Sequence, residues 1–315
     1  MATGKLDAEK EIKRNPHGDF KAVEASRPPF DLATSFHYVQ TPKPSWTPGS
    51  GPNEPSSLHK SHRQIEPYAD GRPVVHNYKL LISAIIPRPV GFSSTISADG
   101  TSTNLAPFSY FNVVCHDPPM FVMGFAGGMD KAKDTLKNLL DTKEIVINII
   151  SEEYAEAANY TSINAPAGVS EWALSGLHAE KSAMVKPDRV KEAVFSIEGK
   201  LVSTTEWTSK QVTMLSRCAP PPRLTWMPPR NPATPDKKTG VTAFIEGVNF
   251  WVREDAIDEQ GVLVDPAVLK PISRLGGIAY GRTTQAFELP RPDYDEAMQD
   301  AEVAKLARPK GDAQS

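Results

Sequence analysis

Cysteine is scarce: two in 315 residues, Cys115 and Cys218, far apart and in no C-x-x-C pair. That excludes a disulfide scaffold and offers no zinc-ligand spacing; two reduced, partly buried thiols are expected. Long apolar runs are also missing. The longest, Ile145 to Ile150, is strand-sized, far below the roughly 18 apolar residues that mark a membrane-spanning helix. No membrane partner is expected. The opening residues, MATGKLDAEKEIKRNPHGDF, carry no apolar leader segment, so a cytoplasmic location is expected. No basic excess exists either: 35 Lys and Arg stand against 38 Asp and Glu, for a net charge of −3. Nucleic acid is therefore not an expected partner. The chain holds no G-x-G-x-x-G after a strand, no G-x-S-x-G and no G-x-x-x-x-G-K. A Rossmann site, a nucleophile elbow and a P-loop are thereby unsupported. The seven histidines form no H-x-x-x-H pattern, and no metal site is expected.

Proline, by contrast, is abundant and unevenly placed. Residues 1–72 hold nine prolines and few periodic apolar positions, and TPKPSWTPGSGPNEPSS is loop-like throughout. This segment reads as an extension, with Trp46 and the group Phe36, His37 and Tyr38 as possible anchors. A second excursion, from Arg217 to Lys238, carries seven prolines. Between and after them lies a main domain, residues 73–290. A polar tail, 291–315, follows it.

The pattern within the main domain is that of short strands. HNYKLLISAII predicts a helix that stops before Pro87 and Pro89. Val90 to Ser97 predicts a strand with Phe92 and Ser94 on one face, and with Gly91, Ser93 and Thr95 exposed on the other. Asp99-Gly100 is a hairpin turn signal, and Thr101 to Pro107 returns as the partner. Met120 to Ala126 is a further strand. KDTLKNLLD predicts a helix capped by Asp134 or Thr135, with Leu136, Leu139 and Leu140 facing inward. KEIVINIIS, VFSIEGKLVSTTEW and VTAFIEGVNFWVRED predict more strands, and EEYAEAANYTS a helix. Strands joined mainly by hairpins argue a mainly β antiparallel barrel with peripheral helices.

Two stretches could hold a ligand. In the first hairpin, small hydroxyl residues add donors without bulk. Pro107 lacks an N–H, and an interrupted ladder there would free neighbouring backbone groups. Phe108, Tyr110 and Phe111 could form an apolar wall, though Phe108 and Phe111 equally suit a core. In the second stretch, GGMDKAKDTLKN, Lys133 and Thr135 stand at a helix N-terminus, where an anion is favoured. Together they describe a place for a planar polar group and a phosphate.

The segments PRPVGFSSTISADGTSTNLAPFSYFN, DPPMFVMGF, KDTLKNL, EIVINIISEE and LKPISRLGGIAY resemble, in that order, the flavin reductase-like family of FMN-binding split barrels, in its flavoredoxin-like branch. The resemblance covers about residues 78–280. It implies a six-stranded antiparallel split β-barrel, generally a homodimer, that binds FMN. On the matching positions, Arg88, Gly91, Phe92, Ser93, Ser94 and Thr95 would line the flavin. Asn104, Leu105, Ala106, Pro107, Phe108 and Ser109 would contact its ring and ribityl chain, much of it through backbone. Lys133, Asp134 and Thr135 would lie near the phosphate, and Arg274 and Tyr280 would close the far end. The redox chemistry would belong to the flavin, so no catalytic side chain is nominated. The implied activity is an FMN-dependent oxidoreductase, most simply a flavin reductase using NADH or NADPH with free flavin or a small-molecule substrate. Alternatives are an oxygenase or reductase with its own organic substrate, favoured by the two Pro-rich segments, and a non-enzymatic electron carrier.

Overall fold

Seven strands form the principal sheet, and a computed structural model describes them within residues 15–166, 168–210 and 237–307. They are β1 (Gly91–Ile96), β2 (Thr103–Phe108), β3 (Phe111–His116), β4 (Pro119–Ala126), β5 (Glu144–Ile149), β6 (Phe195–Thr208) and β7 (Lys238–Val252). Their order is β2-β1-β5-β6-β7-β4-β3, and every neighbouring pair is antiparallel. The mainly β, antiparallel expectation holds, with one strand more than the six expected. The addition is β3, where Asn112, Val113 and Val114 lack the alternating burial by which a half-buried strand is recognised.

The sheet rolls on itself. β1 lies next to one edge and β4 next to the other, yet a Cβ on Gly91 would stand 2.9 Å from both Met123 Cε and Phe111 Cγ. The Ser93 hydroxyl likewise donates to Met123 Sδ at 3.4 Å. Glycine at 91 lets the opposite strands approach. The interior is filled by Phe111, Phe121, Met123, Ile147, Ile197 and Ile245 among others. Helix α2 (Asp134–Thr142) closes one end with Leu136 and Leu139 buried in that core and Leu140 packed on it. Two buried leucines contribute about 1.5–3 kcal/mol each. The helix ends at Lys143, which adopts a left-handed φ of 65°.

A second apolar layer covers the outer face of β1 and β2. Here Phe92 and Leu105 pack with Tyr154, Ala158 and Trp172, which α3 (Ala155–Tyr160), α4 (Glu171–Ser175) and the turn before α3 supply. Helix α1 (Val74–Ala84) fits the helical expectation but not its burial, because only Ile82 is buried. Leu81, Ile85 and Ile86 are exposed. Arg282 binds Glu152 through Nε at 2.6 Å, donates to the Asp31 carbonyl at 2.8 Å and stacks on Phe30 at 4.3 Å.

By its internal contacts the chain divides into two units, Met1–Asp31 with Pro67–Thr283, and Leu32–Glu66 with Thr284–Ser315. The smaller unit pairs His37–Tyr38 in parallel with Gln285–Ala286. Phe36 stands edge-on to Tyr38 at 5.2 Å, and Trp46 Nε1 donates locally to the Gly51 carbonyl at 2.9 Å. The excursion from Arg217 and the thiol of Cys218 lie outside the described residues. Cys115 is a free thiol. No helix among the described residues is long and apolar enough to cross a membrane.

Candidate functional site

β2 is an edge strand, and its outward row of backbone groups defines the site. The Phe92 carbonyl accepts the Asn148 side-chain amide from β5 at 2.9 Å. Within an antiparallel strand, one residue's N–H and C=O point the same way. Phe92 therefore faces β5, and its partner Pro107 lies in a pair that needs no ladder bond from it. This corrects the expectation of an interrupted ladder: pairing continues through Pro107 to Phe108. Proline is tolerated because that position faces away from β1. By the same period of two, the backbone groups of Thr103 and Leu105 also face outward. The free row thus comes from the strand edge, not from a break.

Both flanks of this edge are covered. On the inner flank, Asn104 Nδ2 donates to Thr135 Oγ1 at 2.6 Å, and Asn138 Nδ2 to Thr95 Oγ1 at 3.2 Å. Asn104, Thr135 and Asn138 are all buried. These bonds seat the start of α2 beside β1 and β2. Its N-cap is Lys133, and no side chain caps it. The expected cap from Asp134 or Thr135 is not made, since Asp134 is the first residue of the helix and the Thr135 hydroxyl serves Asn104. Lys133 and Asp134 are exposed at a helix end whose first N–H groups attract anions. The preceding loop is held by the Met129 N–H, which donates to Glu206 Oε1 at 2.7 Å. A Cβ on Gly128 would stand 2.6 Å from Lys238 Cβ, so only glycine fits there.

On the outer flank, α4 brings Glu171 and Trp172 over β2. Ser170 caps this helix by accepting the Ala173 N–H. Glu171 is 7% exposed, and burial raises its pKa above the ordinary carboxylate range, against opposing hydrogen bonds from its own N–H and that of Leu105. Sequence reasoning missed Glu171. The only local signal was a Ser-Glu helix start, which says nothing about the strand it meets.

The other expected residues fall into distinct environments. Ser93, Ser94 and Thr95 are buried, not exposed, because a rolled sheet with a helix over one end and an apolar layer outside covers both faces of β1. Ala106, Pro107 and Ser109 are half-buried. Phe108 packs edge-on to Phe125 at 4.9 Å and Phe111 belongs to the core, so neither forms a ligand wall; Tyr110 remains exposed. Arg88 is buried with a structural task. Its guanidinium donates to the carbonyls of Ile82, Ile85 (2.9 Å) and Leu275 (3.0 Å), tying the end of α1 to the later segment. Its Nε is buried with no partner among the described residues. Arg88 and Arg274 exchange backbone hydrogen bonds at 3.1 and 2.9 Å. Arg274 in turn stacks on Tyr280 at 4.4 Å, and the Tyr280 hydroxyl donates to Asn159 at 3.0 Å. The Arg88–Arg274 pair precedes β1, whereas Lys133 and Thr135 adjoin its other end. From Gly91 to Thr95 the strand advances about 13 Å.

The rolled antiparallel sheet with its peripheral helices is a split β-barrel. The chain belongs to the family described as flavin reductase like domain, whose model matches residues 83–264. An uncharacterised protein of Aquifex aeolicus is 47% identical over 125 residues, which are 39% of this chain and 63% of that protein. Nitrilotriacetate monooxygenase component B from Bacillus cereus is similar in structure, with a TM-score of 0.61 at 30% identity over 73% of this chain and all of that one. The 2-nitrobenzoate 2-nitroreductase NbaA of Pseudomonas fluorescens gives a TM-score of 0.57 at 26% identity, over 74% and 98% of the two chains.

Proposed function

We propose that the protein is an FMN-dependent oxidoreductase, most simply an NADH- or NADPH-dependent flavin reductase acting as a homodimer. The outward edge of β2 beside the uncapped start of α2 carries this reading. It offers backbone donors for a polar planar group and a positive helix end for a phosphate. Lys133 adds an ammonium at that end, and Asn104, by holding Thr135, fixes the helix against the strand. The outward backbone of Thr103, the Leu105 carbonyl and the half-buried Ser109 would bind and orient the ring and its chain. Trp172 and Leu105 would keep water from the outer flank. When bound, FMN supplies hydride acceptance from a reduced nicotinamide and electron delivery to an acceptor. Hydrogen bonds from backbone donors tune such a flavin, and no protein acid or base is required.

The dimer is supported by exposed apolar surface. Val113 and Val114 on edge strand β3 are 58% and 55% exposed, and Ile85 after α1 is 61% exposed. A second reading, turnover of a dedicated organic substrate, draws on likeness to a monooxygenase component and a nitroreductase. The test is nicotinamide consumption by purified protein with added FMN. Oxidation of NADH or NADPH above a protein-free control is expected. Bound flavin without such consumption would exclude the reductase version and favour the dedicated substrate or the electron carrier.

A further inference from the structure

The segment 15–31 is held down without a core. None of its residues is buried, and a stretch with so little apolar burial opens locally at low cost. One side chain from far along the chain clasps it. Arg282 donates from Nη1 to the Asp31 carbonyl at 2.8 Å, and its guanidinium lies 4.3 Å from the centre of the Phe30 ring. The base of this clasp is firm. Nε and Nη2 of Arg282 donate to the two Glu152 oxygens at 2.6 and 3.2 Å, and the two side chains are only 22% and 16% exposed. Such a two-pronged pair fixes the plane of the guanidinium. Phe30, by contrast, is 59% exposed. It follows Pro28 and Pro29, whose rings fix φ and stiffen the arm that carries it.

The clasp stands at one end of the candidate site. Arg282 and Tyr280 are two apart in the strand Tyr280–Arg282, so their side chains share a face. That strand pairs with Ile272–Arg274, and Arg274 exchanges backbone hydrogen bonds with Arg88, shortly before β1. We infer that residues 27–31 form a strap, latched by Arg282 over the Tyr280 end of the site, that gates entry and exit there. This rests on the flavin reading above and adds a control on access, not a contact with the ligand. A latch of one hydrogen bond and one ring contact leaves an open form populated at roughly 0.1–10%. The Glu152–Arg282 pair needs nothing from the strap, so it stays in place for reclosure when the strap lifts. A gate that never touches the ligand scales association and dissociation by one factor and leaves Kd unchanged.

Stopped-flow flavin fluorescence on the full chain tests this, with FMN association and dissociation followed in wild type, Phe30→Ala and Arg282→Lys. Phe30→Ala removes the ring, and Arg282→Lys keeps a cation for Glu152 but loses the planar fork. Both rate constants should rise together, about two- to fivefold, the factor that one exposed cation–π contact supplies, with Kd unchanged. In flavin-free protein, chymotryptic cleavage after Phe30 should quicken by a similar factor in Arg282→Lys; unchanged cleavage would mean that Arg282 is not the latch. Faster dissociation alone, with weaker FMN, would overturn the inference by making Phe30 a ligand contact or a structural prop. If Arg282→Lys loses stability, Phe30→Ala decides, because its ring is exposed. Wild-type FMN binding with unchanged rates in Phe30→Ala would overturn the strap and leave the flavin reading intact. No FMN binding by the wild type would overturn both.

Discussion

At the scale of single residues, two carboxyls have opposite fates. Asp99, in the β1–β2 turn, accepts the Ser97 hydroxyl (2.6 Å), the Thr101 N–H (3.1 Å) and the Thr101 hydroxyl (2.8 Å). These donors, Ser97 foremost, hold its pKa down to about 2 from the usual 3.8. A depressed carboxyl contributes stability above its unfolded pKa and loses it as pH falls through about 2. A carboxyl-carbon NMR titration should therefore place Asp99 near about 2; a midpoint at 3.8 would mean the turn is not closed by that side chain. Glu171 has the reverse sign. Its folded pKa is raised by burial, so the charged form costs stability above that pKa, and the cost vanishes as pH falls through it. Glu171→Gln in the ligand-free protein should raise the melting temperature at pH 7, with a gain that shrinks in acid. A loss of stability at pH 7 would contradict the burial argument. The turn at Asp99 was legible in the sequence because Asp-Gly chemistry is local. Glu171 was not, because its burial depends on how the helix packs in the folded chain and not on its sequence neighbours.

Among elements, the hairpins and α2 were readable, since Leu136, Leu139 and Leu140 follow helical spacing and land where that spacing puts them. Alternation in β1 showed which residues share a face, not whether that face is open. Rolling the sheet turned the Ser93 and Thr95 face inward, and long-range contacts with Met123 and Asn138 decided it. Gly91→Ala tests the roll. Its Cβ would meet Phe111 and Met123 across the barrel, and overpacking of this kind costs about 1–3 kcal/mol. Denaturant melts that show no loss would mean the two edges do not approach there. Leu81 in α1 and Val113 and Val114 in β3 are apolar residues that lie exposed. Val114→Lys on the β3 edge should shift light-scattering mass from dimer toward monomer with little change in the melting temperature. A wild type that is already monomeric, or a variant still dimeric, would remove that surface from the interface.

For the whole molecule, the central claim is that one strand edge and one helix start together hold FMN. The sequence carried this through ordered motifs, while the geometry that makes the edge available came from strand order, which no local pattern encodes. The direct measurement is the absorbance spectrum of the purified protein after saturation with FMN and removal of free ligand, with mass identification of what is released on denaturation. A yellow protein with flavin bands near one FMN per chain is expected. A colourless protein that retains no FMN, in the wild type and at saturating ligand, would contradict it.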